Sequence, residues 1–181
     1  MNSFDIITLR LRLVTITTEM MDADAARSKQ LGVLLSAEVP SFWPPEHWEP
    51  HVYAFMKEQV LHHPHTVGWN RFVVLNGQRP TLIGTIGAFP KGESEAEIGY
   101  SVLGPWQRRG FATEGVRAFI TELFRGSSLR TLSAQTFPEL IPSIGVLGKC
   151  GFQFAGSGEE DGAVRYRLER SAHSGGDGYL A

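Results

Sequence analysis

Leu9, Leu11 and Leu13 alternate with Thr8, Arg10 and Arg12, the two-residue period of a strand with one face buried. The strand is expected over residues 8–17. Thr17 or Thr18 then stands where a helix cap is favoured, with Glu19, Asp22 and Asp24 near the positive helix end. That helical pattern runs to about Leu35, where Gly32 weakens its end. "EVPSFWPPEHWEP", residues 38–50, holds too much proline for strand or helix and predicts a shaped loop. A second helix follows over 50–61, with Val52, Phe55, Met56 and Val60 inward. Residues 71–75 and 81–89 are apolar and β-branched, joined by "NGQRP", a hairpin signal at Asn76-Gly77. "KGESE" turns the chain into a further strand over 96–103. An amphipathic helix over 110–124 directs Val116, Phe119, Ile120 and Leu123 to the core. A strand over 131–136 and a short helix over 142–152, closed by Gly151, come next. Residues 163–170 alternate as a closing strand that pairs with 152–155. The order β-α-α-β-β-β-α-β-α-β-β predicts an α/β (α+β) protein, a mixed sheet with helices on its faces.

Composition narrows the class of protein. A length of 181 residues suits one domain with a full core. The domain is expected over 8–170, with an N-terminal extension (1–7) and a flexible glycine-rich tail (171–181). A formal net charge of −2 does not indicate a nucleic-acid partner. The single cysteine, Cys150, excludes an intrachain disulfide and a cysteine-built zinc site. There is no apolar run of membrane-spanning length, and "MNSFDIITLRLRLVTIT" lacks the pattern of a signal peptide. A cytoplasmic protein without a membrane partner is expected.

"GPWQRRGFATEG", residues 104–115, carries the candidate chemistry. Gly110 permits close backbone approach, small Ala112 does much the same, and free N–H groups at the following helix start converge on one place. Arg108 and Arg109 add charge that suits phosphate. The lysine and Ser/Thr of a nucleotide P-loop are missing. The bland alternative is a helix entry with solvated arginines. His62, His63 and His65 look like metal ligands by composition, but Pro64 breaks their spacing, and a solvated helix end is preferred.

With "EIGYSVL" before this loop and "VLGKCGF" after it, residues 8–170 resemble the GNAT superfamily of acyl-CoA-dependent N-acetyltransferases. The branch is that of ribosomal-protein acetyltransferases of the RimJ/RimL kind. The family's pyrophosphate signature is Gln or Arg, two variable residues, Gly, one variable residue, then Gly or Ala. Gln107, Gly110 and Ala112 match it in place. The resemblance implies a GNAT fold whose mostly antiparallel sheet splays between the fourth and fifth strands. It implies acetyl-CoA as cosubstrate without a metal. The pyrophosphate would lie on Gln107, Arg108, Arg109, Gly110, Phe111, Ala112 and Thr113, and the pantetheine along the main chain of Val102 and Leu103. The acceptor would be a primary amine, on a protein N-terminus or a small molecule, attacking the thioester directly. Glu97 is the candidate base. The family's acidic tyrosine position is Leu147, so Ser143 is the candidate proton donor, and an asparagine of the family is replaced by Leu140. Homodimers are common in the family. Two alternatives stay open: a CoA-binding module without turnover, and a transferase for a longer acyl-CoA.

Overall fold

A computed structural model of the chain describes residues 5–45, 48 and 50–174. Its strands are β1 (Ile6–Ile7), β2 (Leu11–Thr15), β3 (Asn70–Leu75), β4 (Thr81–Pro90), β5 (Glu95–Val102), β6 (Thr131–Thr136), β7 (Gln153–Ser157) and β8 (Val164–Glu169). Its helices are α1 (Thr18–Ala25), α2 (Gln30–Leu35), α3 (Pro50–His62), α4 (Phe111–Gly126), α5 (Ile141–Lys149) and α6 (Arg170–Ser174). The strands form one sheet in the order β1-β2-β3-β4-β5-β6-β8-β7. All pairs are antiparallel except β5–β6. This is the mixed architecture that the hydrophobic pattern predicts.

Alternation along the strands divides the core between two faces. Leu11, Leu13, Ile98 and Leu132 point towards α4, which returns Val116, Phe119, Ile120 and Leu123, all buried as its amphipathic pattern requires. Val14, Phe72, Val74 and Leu82 point the other way, under α1, α2 and α3. On β6 and β8 this second face is polar, with Ser133 and Gln135 opposite Arg167 and Arg165.

Several local expectations are corrected. Leu9 is 92% exposed, because β2 begins only at Leu11. Ile6 and Ile7, ahead of the expected domain start, pair with Leu13 and Arg12. The helix expected up to Leu35 is two helices, broken where Arg27 takes a left-handed φ of 52°. On α3 the buried residues are Tyr53, Met56 and Gln59, whereas Phe55 is exposed and packs edge-on against Phe89. Polar atoms permit this rotation: Tyr53 donates to Asp24, and Gln59 Nε2 donates to the Ala88 carbonyl at 2.9 Å. The expected tail begins inside α6, and its residues 175–181 lie outside the described residues.

Asp24 on α1 joins α3 to the aromatic loop. Buried to 2% exposure, its carboxylate accepts from Trp43 Nε1 at 2.8 Å, Trp48 Nε1 at 3.2 Å and Tyr53 Oη at 2.7 Å. Burial and the adjacent carboxylate push the Tyr53 hydroxyl well above the usual tyrosine range, so it stays a donor. Asp24→Ala leaves three donors, the buried Trp43 and Tyr53 and the half-buried Trp48, without their acceptor. It is expected to lower the stability measured by urea unfolding by about 3 kcal/mol or more. A loss below about 1 kcal/mol would mean that water replaces the carboxylate.

Candidate active site

β5 and β6 run side by side only at Glu95–Thr131, Ala96–Leu132 and Glu97–Ser133. Beyond Glu97, β5 continues against β4 as far as Val102, while β6 continues against β8 as far as Thr136. A gap therefore opens between two strands that were paired. The Leu103 N–H donates to Ile83 on the β4 side, and its carbonyl accepts from Trp106 N. Main-chain direction alternates along a strand, so Val102, Tyr100 and Ile98 turn their groups into the gap. Leu103 does not share that edge, because its main chain is committed to β4 and to the following turn. The Val102 carbonyl accepts from Gln107 Nε2 at 2.8 Å.

After β5 the chain makes a 3-10 turn at Gly104–Trp106 and enters α4. Arg108 and Gly110 both take left-handed conformations, φ 60° and 82°. Alternation of this kind turns successive N–H groups to one side. Gly110 is the N-cap of α4 and supplies no side-chain cap, unlike Thr17 of α1, which accepts from Met20 N. The first-turn N–H groups of Phe111, Ala112 and Thr113 have no partner within the helix. The loop is braced from the β2 side. Arg10 stacks 4.4 Å from the Phe111 ring centre, donates to the Arg109 carbonyl at 3.1 Å and pairs with Glu114 at 2.7 Å. Burial alone would raise the Glu114 carboxyl, but donors from Thr8 and Arg10 outweigh it and hold the group below the usual range.

Glu97 lies where the gap closes. It is 8% exposed, and its Oε2 accepts from Gln135 Nε2 at 2.7 Å, with Lys91 Nζ 3.9 Å away. Lys91 engages Glu159 at 2.7 Å, and the Gln135 carbonyl oxygen accepts from the Glu159 N–H. The 158–163 loop is thus moored beside the carboxylate.

Along the same face of β5, a cavity of about 310 Å³ lies over the paired glycines Gly87 and Gly99. Pro45, Trp48, Phe55, Met56 and Phe89 supply its apolar walls, and Thr85 and Ser101 its hydroxyls. A Cβ on Gly99 would meet nothing within 4 Å, whereas one on Gly87 would approach Asn70 Oδ1 to 2.5 Å.

On the opposite face, the Tyr100 hydroxyl donates to the Ser143 carbonyl at 3.0 Å and lies 3.3 Å from Ser143 Oγ. This bond ties β5 to the first turn of α5. Burial pushes the Tyr100 hydroxyl up to about 12, so it remains protonated at neutral pH. Leu147 is buried and Leu140 half-exposed, so neither replaces the polar side chain of its position. Burial likewise raises the Cys150 thiol to about 11, which fits a packed core residue rather than a nucleophile. His62 pairs with Glu58, and the His63 and His65 rings meet edge to face. Among the described residues, no group of three His, Cys, Asp or Glu is placed to hold a metal ion, and no helix is long and apolar enough to cross a membrane.

The structure brings Glu97, Val102, Ser143 and the 107–113 loop around one strand gap. Gln135, Gly99 and Asp24 were missed as site or support residues by sequence reasoning. For Gln135 the available signal was parity: Ser133 and Gln135 share the polar face of an alternating strand.

Comparison with known proteins shows the family. Residues 10–153 match the Acetyltransferase (GNAT) domain family, and the chain belongs to that family of acyl-CoA-dependent transferases. It is similar to an uncharacterized N-acetyltransferase, p20, of Bacillus licheniformis, with 34% identity over 89 residues. That match spans about half of each protein, 48% of this chain and 50% of the relative. The fold is shared with RimL, an alpha-N-protein acetyltransferase in complex with coenzyme A, at TM-score 0.64 and 17% identity over 93% of this chain and 99% of that one. It is also shared with a ribosomal-protein-S5-alanine acetyltransferase from Vibrio fischeri, at TM-score 0.63 and 17% identity over 91% and 96%.

Proposed function

We propose that the protein transfers the acetyl group of acetyl-CoA to a primary amine by direct attack. The observation that carries this reading is the parting of β5 and β6 immediately beyond the buried Glu97, with the uncapped start of α4 at the far end of β5. The 107–113 loop fits a diphosphate: left-handed Gly110 carries no Cβ, and no side chain caps the first-turn N–H groups. Acetyl-CoA supplies an activated thioester. The chain orients it through the Val102 edge, accepts the acceptor's proton at Glu97, and donates a proton at Ser143 Oγ, next to Tyr100.

The acceptor amine enters from the cavity over Gly87 and Gly99, two residues along the same face of β5 from Glu97. Thiol release from acetyl-CoA across a panel of primary amines tests the reading, with 2-phenylethylamine and a Phe-initiated tetrapeptide among them. Amine-dependent release supports it, and background release with every amine rejects it. Gly99→Leu fills the cavity without backbone strain, since no positive φ is required there. It should reduce kcat/KM for the preferred amine by at least tenfold, about 1.4 kcal/mol, and leave the acetyl-CoA Kd within twofold. Unchanged amine kinetics would place the acceptor elsewhere.

A further inference from the structure

We propose that Gln135 is the positioning residue for Glu97, holding the carboxylate with one oxygen committed and the other presented to the acceptor. The inference rests on Glu97 acting as the base. Gln135 Nε2 donates to Glu97 Oε2 at 2.7 Å. Among the described residues no hydrogen bond reaches Glu97 Oε1.

The amide is itself oriented. Its carbonyl oxygen accepts from the Glu159 N–H, which fixes which end faces Glu97. Gly158 makes that contact possible, since a Cβ there would lie 2.6 Å from Gln135 Oε1 and 2.7 Å from Ala163 Cβ. The loop is anchored in turn by Gly158 N to Ala163 O at 2.7 Å, and by Glu159 to Lys91 and Arg165 at 2.7 and 3.1 Å. A base works when its lone pair is aimed at the proton it takes. A neutral amide donor aims it without adding a cation that would compete with the amine substrate.

The charged groups around Glu97 include Lys91 beyond β4, Glu95 on β5, Arg165 and Arg167 on β8, and Glu159 and Glu160 on the loop. Gln135→Met keeps all of them and removes the donor to Glu97 together with the acceptor of the Glu159 N–H. The carboxylate then loses the bond that fixes its orientation.

The test is a double-mutant cycle with Glu97→Gln. Gln135→Met should lower kcat for the amine at least tenfold and leave the acetyl-CoA Kd within twofold, and it should cost nothing further in a Glu97→Gln background. Gly158→Ala, whose Cβ would sit 2.6 Å from Gln135 Oε1 and displace the amide, should act in the same direction, and it serves if Gln135→Met folds poorly. An unchanged kcat in both variants overturns the proposal. So does a loss of the same size with and without the Glu97 carboxylate, because Gln135 would then act through something other than Glu97. Absence of turnover in the wild type with every amine is a different failure: it rejects the transferase reading on which the proposal rests.

Discussion

Gly110→Val weakens acetyl-CoA binding by roughly 100-fold or more, about 2.8 kcal/mol, while Arg108→Ala and Arg109→Ala each cost less than tenfold. Two effects act together at Gly110. Its φ of 82° is one that a β-branched residue adopts only under strain, costing of order 1–3 kcal/mol. The new side chain also starts 3.4 Å from the Arg10 guanidinium, the group that braces the loop through the Arg109 carbonyl and Glu114. Movement there tilts the N–H groups on which the phosphates would rest. The arginines are less critical because backbone N–H groups form the cradle. Arg109 lies over the Phe111 ring at 5.4 Å, and Arg108 is exposed. Calorimetric titration of the three variants checks this, with a thermal melt to show that each is folded. Loss of binding in either arginine variant with retention in Gly110→Val would reverse the account of the loop.

Glu97→Gln lowers kcat/KM by roughly 10²–10⁴-fold and leaves the acetyl-CoA Kd within twofold. The substitution keeps shape and an oxygen able to accept from Gln135, so packing at the closed end of the gap persists. It removes only the ability to take a proton. A protonated amine has no lone pair with which to attack, so the loss is greatest at neutral pH. It shrinks as the pH rises towards that at which the acceptor deprotonates unaided. An equal loss at all pH values would point to a structural role for Glu97. Full activity would remove it from the mechanism.

The order of elements was legible because it is written locally: period two in β2 and β8, the apolar stripe of α4, and glycine after α5. The same local rules place a stripe only to within a residue or so of rotation. Those rules turn Phe55 and Leu9 inward, where the structure exposes both, and they carry one helix through Arg27, where the left-handed backbone ends it. The loop at 107–113 is one contiguous segment, so its residues could be set against a family signature, and Glu97 is a candidate through the same resemblance; the left-handed Arg108 beside Gly110 has no such signal. The support around Glu97 was not legible. Gln135 lies 38 positions from Glu97, and Asp24 gathers donors 19, 24 and 29 positions away. Such contacts arise only once the sheet order is set. The cavity was hidden for the same reason: Gly87 and Gly99 form one floor only through the β4–β5 register. Main-chain parity separated Val102 from Leu103, which no side-chain pattern records.

The most direct measurement follows the acetyl group itself. Wild-type protein is incubated with acetyl-CoA carrying a carbon-13-labelled acetyl group and the best amine of the panel, and mass spectrometry quantifies labelled amide against released thiol. Equal amounts of amide and thiol, both falling to background in Glu97→Gln at neutral pH, are the predicted result. Tight acetyl-CoA binding with no labelled amide from any amine would contradict it and leave a CoA-binding protein without turnover.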